Sequence, residues 1–219
     1  WQRSCVYASD ETLWQDTVTK NPRAWQAYIN LGAALTQAGK LDAAVGSYEQ
    51  ALAINPESAE AHNDFGNALL RQGKIPEAIS HFEQALRIKP DYAEPHANLG
   101  NTFMQLGKDT EAISHFEQAL QINPQFAEVH NNLGSALEKH KQLTEAIEQY
   151  QQALRINPDF VEAHYNLGHA FEKQDRVTDA MQQYEQALRL RPDFVAASYA
   201  IRRLRAGPSP FTRQEPSTP

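Results

Sequence analysis

Apolar residues recur along the chain in two alternating helical phases. In the stretch that begins at Ala93, His96, Leu99, Gly100 and Phe103 fall at i, i+3, i+4 and i+7, and further on Ala112, Ile113, Phe116, Ala119 and Leu120 form a second such stripe. Each stripe is one face of a 3.6-residue helix, so the pattern predicts a helix A followed by a helix B. Gly107 stands between them, where a tight turn wants a residue in the left-handed region. Pro124 closes helix B, since proline removes a backbone N–H and crowds the preceding turn.

The whole pattern returns every 34 residues, with Pro22, Pro56, Pro90, Pro124, Pro158 and Pro192 marking the period. A fixed period of this length means stacked copies of one small unit. Five full units begin at Trp25, Ala59, Ala93, Ala127 and Val161 and occupy 25–194. Gly32, Gly66, Gly100, Gly134 and Gly168 are expected to face Ala44, Ala78, Ala112, Ala146 and Ala180 across the A–B contact. A second series, Ala51 to Ala187, is expected to admit the next helix A. Tyr48, Phe82, Phe116, Tyr150 and Tyr184 would fill the wider gaps with large apolar rings. Lys141 and Asp175 stand where Gly39, Gly73 and Gly107 turn the other units, at a cost of up to ~1 kcal/mol each.

The ends depart from the repeat. Residues 1–24 form a flank in which Leu13, Trp14, Thr17 and Val18 predict a lone helix B covering the first unit. After Pro192 the stretch 195–206 predicts one more helix A. Arg202 occupies its glycine position, so the stretch reads as a solvating cap with Arg202, Arg203 and Arg205 facing water. The last stretch, 207–219, is rich in Gly, Pro, Ser and Thr and reads as a disordered tail. Trp1 opens the chain without a charged-then-apolar leader, and we read it as a fragment of something longer.

Charge removes several classes of function. A net charge of -7 and a pI near 5.6 argue against a nucleic-acid or anionic-membrane surface, and no run approaches the ~18 apolar residues of a membrane span. Cys5 is the one cysteine, which excludes an internal disulfide framework. Eight histidines invite a metal reading. However, His62, His96, His130 and His164 recur one repeat apart, as do His81 and His115, so they are expected on successive helices as packing residues. We therefore expect no metal and no cofactor. No nucleophile–base ordering, phosphate loop or catalytic carboxylate pair stands out from the repeat, and the chain does not read as an enzyme. Glu60, Glu94, Glu128 and Glu162 read as helix-start residues, with Asp91 and Asp159 capping the third and fifth helix A. Asp109 is expected to cap a helix B.

The order of bulky residue, Leu-Gly, Ala, aromatic, Ala and Pro in all five units resembles the tetratricopeptide repeat. The resemblance implies an all-α fold, a right-handed α-solenoid of stacked helix-turn-helix units. It departs from the family where His62, His96, His130 and His164 replace the bulky first residue and where Asp109 takes an apolar position. In the family one face of helix A lines a concave groove. Here that face carries Asn30, Asp64, Asn98, Asn132 and Asn166, with Asn67 and Asn101 in a second row and Asn63, Asn131 and Tyr165 beside them. The array is similar to the asparagine ladder of O-linked N-acetylglucosamine transferase. An amide can pair with both groups of a peptide backbone, so the resemblance implies a scaffold binding an extended peptide or a partner protein.

The family's clamp for acidic chaperone tails is not expected, since Gln26, Ile29, Asn30, Glu60, Asn63, Asp64, Glu94, Ala97 and Asn98 supply no lysine or arginine. An alternative stays open. The flank Glu11 to Pro22 is similar to the segment joining membrane spans to repeats in membrane-anchored glycosyltransferases. That resemblance implies a substrate-selecting region of a larger enzyme, outside the cytoplasm, whereas the family at large implies a cytoplasmic setting. Self-association through exposed stack ends is a third expectation.

Overall fold

The computed structural model describes residues 9–206. Cys5 and the stretch 207–219, expected to be disordered, lie outside the described residues. Among those residues the chain is helical throughout, with no strand. In order the helices are α1 (Asp10–Lys20), α2 (Trp25–Gln37), α3 (Leu41–Ile54), α4 (Ala59–Arg71), α5 (Ile75–Ile88), α6 (Ala93–Gln105) and α7 (Asp109–Ile122). They continue with α8 (Ala127–Lys139), α9 (Leu143–Ile156), α10 (Val161–Lys173), α11 (Val177–Leu190) and α12 (Val195–Ala206). Helices α1 to α7 form one compact unit and α8 to α12 a second. The chain is an all-α solenoid of helical repeats.

Within each repeat the A–B hairpin closes on a contact between a glycine and a ring. A Cβ built on Gly32 would stand 2.7 Å from the Tyr48 ring, and one on Gly100 would stand 2.5 Å from Phe116 Cε1. Gly66 meets Phe82, Gly134 meets Tyr150 and Gly168 meets Tyr184 in the same way. The nearest neighbours of these glycines are therefore ring atoms, which the sequence did not assign to them, and at Gly168 the Ala180 carbonyl also stands 3.1 Å away. The alanines Ala44, Ala78, Ala112, Ala146 and Ala180 are fully buried, as are Ala51, Ala85, Ala119, Ala153 and Ala187. Glycine in mid-helix costs about 1 kcal/mol relative to alanine, and here a buried aromatic ring occupies the space that a methyl would need.

The turns follow their residues. Gly39, Gly73 and Gly107 have φ of 74°, 78° and 71°, and Lys141 and Asp175 take the same conformation at 64° and 58°. The caps differ from expectation. The N-cap of α6 is Tyr92 and that of α10 is Phe160, neither with a side-chain hydrogen bond, so Asp91 and Asp159 each lie one residue too early. The side-chain caps are Ser9, in a reciprocal box with Thr12, and Ser58. Asp109 lies inside α7 as its first residue, and its Oδ1 is buried with no hydrogen-bond partner. On α12, Arg203 pairs with Glu172 and Arg205 with Glu185 at 3.1 Å, so two of the three arginines expected to face water are tied to α10 and α11. Val195 and Tyr199 stay open on the same helix, Tyr199 at 65% exposure.

Candidate functional site

The asparagines lie on the A helices, and within each unit one of them reaches the residue one position before its repeat equivalent on the preceding A helix. In the first unit Asn98 Nδ2 donates to Asn63 Oδ1 at 2.9 Å, and Asn63 Nδ2 donates to Asp64 Oδ1 at 3.2 Å. The second unit repeats the relay: Asn166 donates to Asn131 at 2.9 Å and Asn131 to Asn132 at 3.2 Å. Asn63 and Asn131 are buried, 5% and 6% exposed, and their amides are engaged by these neighbours. They are struts of the relay, whereas Asn30, Asp64, Asn67, Asn98, Asn101, Asn132 and Asn166 are half-buried. Tyr165 packs against Tyr184 and Phe194, with ring centroids 5.5 and 5.2 Å away.

The acceptors beside the two struts differ in chemistry. In the second unit the strut donates to the Asn132 amide oxygen. In the first the acceptor is the Asp64 carboxylate, pushed up to about 6 by burial and by the nearby Glu60 charge, with the Asn63 hydrogen bond opposing. Asp64 therefore gains a proton in a range where ordinary carboxylates stay charged.

A second polar cluster lies on the same helices of the second unit. His169 Nδ1 and Lys173 Nζ both reach Glu138 Oε1 at 2.8 Å, and Tyr150 Oη donates to Glu138 Oε2 at 3.0 Å. Burial alone would raise the Glu138 carboxyl, but the hydrogen bonds from His169 and Lys173 outweigh it and hold the group at about 2. One repeat later Tyr184 Oη donates to Glu172 at 3.0 Å, and Arg203 takes the place of the two cations. Sequence reasoning passed over this cluster. Its signal was a glutamate twelve residues before the helix-B tyrosine, at Glu138–Tyr150 and again at Glu172–Tyr184.

Four of the histidines meet in pairs, one from each series, a contact that the spacing within each series does not reveal. His62 and His81 bring their Nδ1 atoms within 2.9 Å, and His96 and His115 within 3.1 Å. His62 Nε2 lies 3.2 Å from the Pro56 carbonyl, which can only accept, so Nε2 carries the proton and Nδ1 is the acceptor. His81 Nδ1 must then donate. His130 and His164 make the same bond to the Pro124 and Pro158 carbonyls, at 3.1 and 2.9 Å, and face Gln149 and Gln183 in place of a second histidine. Among the described residues no group of three or more His, Cys, Asp or Glu converges as metal ligands.

Burial lowers His62, His96 and His115, and it lowers His81 to about 4 with the charge of His62 adding to it. Glu57 and Glu83 oppose the shift at His62 and His115, while Arg87 adds to it at His62. A lowered base binds fewer protons folded than unfolded, so stability falls as pH drops from the ordinary 6.5 towards about 4. The double variant His81→Gln with His115→Gln, which copies the glutamines of the later repeats, is expected to flatten that fall. Urea midpoints followed from pH 7 to pH 4 test it, and equal slopes for the two proteins would refute it.

No helix among the described residues is long and apolar enough to cross a membrane. The TPR repeat profile matches residues 32–73, 66–107, 100–141 and 139–175, and the tetratricopeptide repeat profile matches 161–194. A comparison with curated protein sequences gave no match. Solved structures of the same fold include YrrB, described as a TPR protein with an unusual peptide-binding site. It is 24% identical, with a TM-score of 0.67 over 87% of this chain and 98% of its own. TTC0263, a thermophilic TPR protein of Thermus thermophilus, is 25% identical with a TM-score of 0.67, over 82% of this chain and 100% of its own. PilF of Pseudomonas aeruginosa is 22% identical with a TM-score of 0.72, over 85% of this chain and 94% of its own. With five matched repeats that each close on a glycine and a ring, the chain belongs to the tetratricopeptide repeat family.

Proposed function

We propose that the chain is a scaffold that binds an extended peptide or a partner protein along the A-helix faces of its two units. The observation that carries this reading is the amide relay, which recurs in the same register in both units. A buried strut fixes the orientation of the half-buried groups on either side of it. A ligand then meets preset donors and acceptors and loses less side-chain freedom on binding. Amides match backbone N–H and C=O groups whatever the ligand's side chains. Asp64 adds a charge to the first unit that the second unit lacks at the same place.

The test is selection of peptides from a random displayed library on the wild-type chain and on the combined variant Asn98→Ala, Asn132→Ala and Asn166→Ala. We expect the wild type to enrich a set of peptides that the variant does not bind, while circular dichroism shows unchanged helicity. Equal enrichment by both, or none by the wild type, would remove the A-helix faces as the working surface.

A further inference from the structure

The second unit carries another concavity, on the far side of α10 from the asparagines. His164 and Asn166 are two residues apart, and helical geometry separates them by roughly 200° around the axis. The cleft on the His164 side lies between α9, α10 and α11, is open to solvent and has a volume of about 470 Å³. Leu167 and Phe171 are buried at its base beside half-buried Leu154, while Arg155 and Gln151 are exposed at its edge. His164 also lines it, but both ring nitrogens are already bonded, to Gln183 and to the Pro158 carbonyl. Gln183 also lines the cleft and meets His164 through its Oε1, while the Arg155 guanidinium and the Gln151 amide stand at the edge.

The same position in the other repeats places Arg155 in context. Three B helices carry arginine at this position: Arg87 on α5, Arg155 on α9 and Arg189 on α11. In α5 and α11 a glutamate stands four residues earlier, Glu83 and Glu185, although Arg87 bonds Gln84 and Glu185 pairs with Arg205. In α9 that residue is Gln151. Arg155 makes no ion pair among the described residues. A guanidinium without an ion pair among the described residues therefore stands at the edge of an apolar cleft of the size that holds small ligands.

We propose that this cleft binds the C-terminus of a peptide whose last residue is large and apolar. The terminal carboxylate pairs with the Arg155 guanidinium, whose fork matches two carboxylate oxygens. The terminal side chain buries against Leu154, Leu167 and Phe171. Gln151 offers a donor and an acceptor to the last peptide group. A fatty acid shares the carboxylate and the apolar body but has no peptide group for Gln151, which is why the peptide is the occupant that fits.

The test uses the full chain and three probes: N-acetylated tetra-alanyl-leucine as the free acid, the same peptide as its C-terminal amide, and dodecanoate. Leucine methyl NMR shifts report the place of binding, and Arg155→Gln and Gln151→Glu are surface variants whose folding is checked by circular dichroism. The free acid is expected to shift Leu154 and Leu167. Affinity is expected to weaken by about tenfold for the amide and in each variant, as befits loss of one charge-assisted contact. Equal binding of acid and amide, unaltered affinity in Arg155→Gln, or no binding of the free acid would each overturn the proposal. Dodecanoate binding more tightly than the peptide would also overturn it, in favour of a lipid acid. Shifts confined to Leu99 and Leu133 would place binding outside this cleft. The asparagine face is read by different residues, so its outcome is independent of this one.

Discussion

Phe116→Ala is expected to lower stability by about 3–5 kcal/mol, the range for removing a buried aromatic side chain. Phe116 is fully buried, and its ring edge occupies the place where a Cβ at Gly100 would stand. Truncation leaves a void in the middle of the α6–α7 hairpin, and the lost ring contacts are not recovered because the flanking Ala112 and Ala119 are too small to refill it. The reciprocal change has the opposite fault. Gly100→Ala forces a methyl to within 2.5 Å of Phe116 Cε1, an overpacking that costs about 1–3 kcal/mol. The gain of up to ~1 kcal/mol in helix propensity offsets only part of that. In the Phe116→Ala background, however, the same Gly100→Ala change should stabilise the protein, because its methyl enters the void. This reversal of sign is the decisive feature. Repeat arrays unfold in parts, so the readout should be hydrogen exchange in α6 and α7 as well as the global urea midpoint. A Gly100→Ala effect of the same sign in both backgrounds would rule out the contact as the source.

Glu138→Ala is the second large effect, expected at about 2–3 kcal/mol. Breaking a fully buried charge pair costs about 3–5 kcal/mol, and the figure here is discounted for the solvent that reaches the partners. The Glu138 side chain is 11% exposed, whereas His169 and Lys173 are 43% and 48% exposed and can turn to water when it is removed. Tyr150 keeps a partner in Ser135 Oγ, 3.3 Å away. The pH dependence gives the sharper test. A carboxyl held at about 2 contributes its full stability above the ordinary 4.5, and that contribution fades as pH falls through this window. The difference between wild type and Glu138→Ala should therefore shrink from pH 5 towards pH 2, while Glu138→Gln keeps the tyrosine bond and lies between them. A difference that holds constant over that range would show that packing, not charge, sets the effect.

The repeat itself was legible because period, turn residues and helix stops agree in every unit. Even the turns at Lys141 and Asp175 were readable, since only their phase had to be matched to Gly39, Gly73 and Gly107. Contacts between the two phases were not. Periodicity places Gly100, Ala112 and Phe116 on inward faces but says nothing of which meets which, and the answer depends on the depth at which two helices interlock. The same gap hid the histidine pairs. His62 and His81 are 19 residues apart, a spacing that belongs to neither helix period and becomes a contact only when the hairpin closes. The caps failed by one residue, because Tyr92 rather than Asp91 takes the extended conformation before α6. At the candidate site the row of amides was readable. The division into buried struts and half-buried groups was not, since Asn63 and Asp64 are adjacent and only the neighbouring helix decides which is covered.

The glycine–ring contact makes the hairpin the smallest piece that can be added or removed intact. Glu77 to Leu86 and Glu111 to Leu120 are the same ten-residue string, EAISHFEQAL, 34 residues apart. Misaligned recombination between the coding segments of these two strings would delete or duplicate one repeat's worth of chain. The junction would fall inside a B helix whose sequence is unaltered, so every hairpin in the product would still hold its own glycine and its own ring. A product of that kind would lengthen or shorten the row of asparagines by one whole step with each hairpin's core intact.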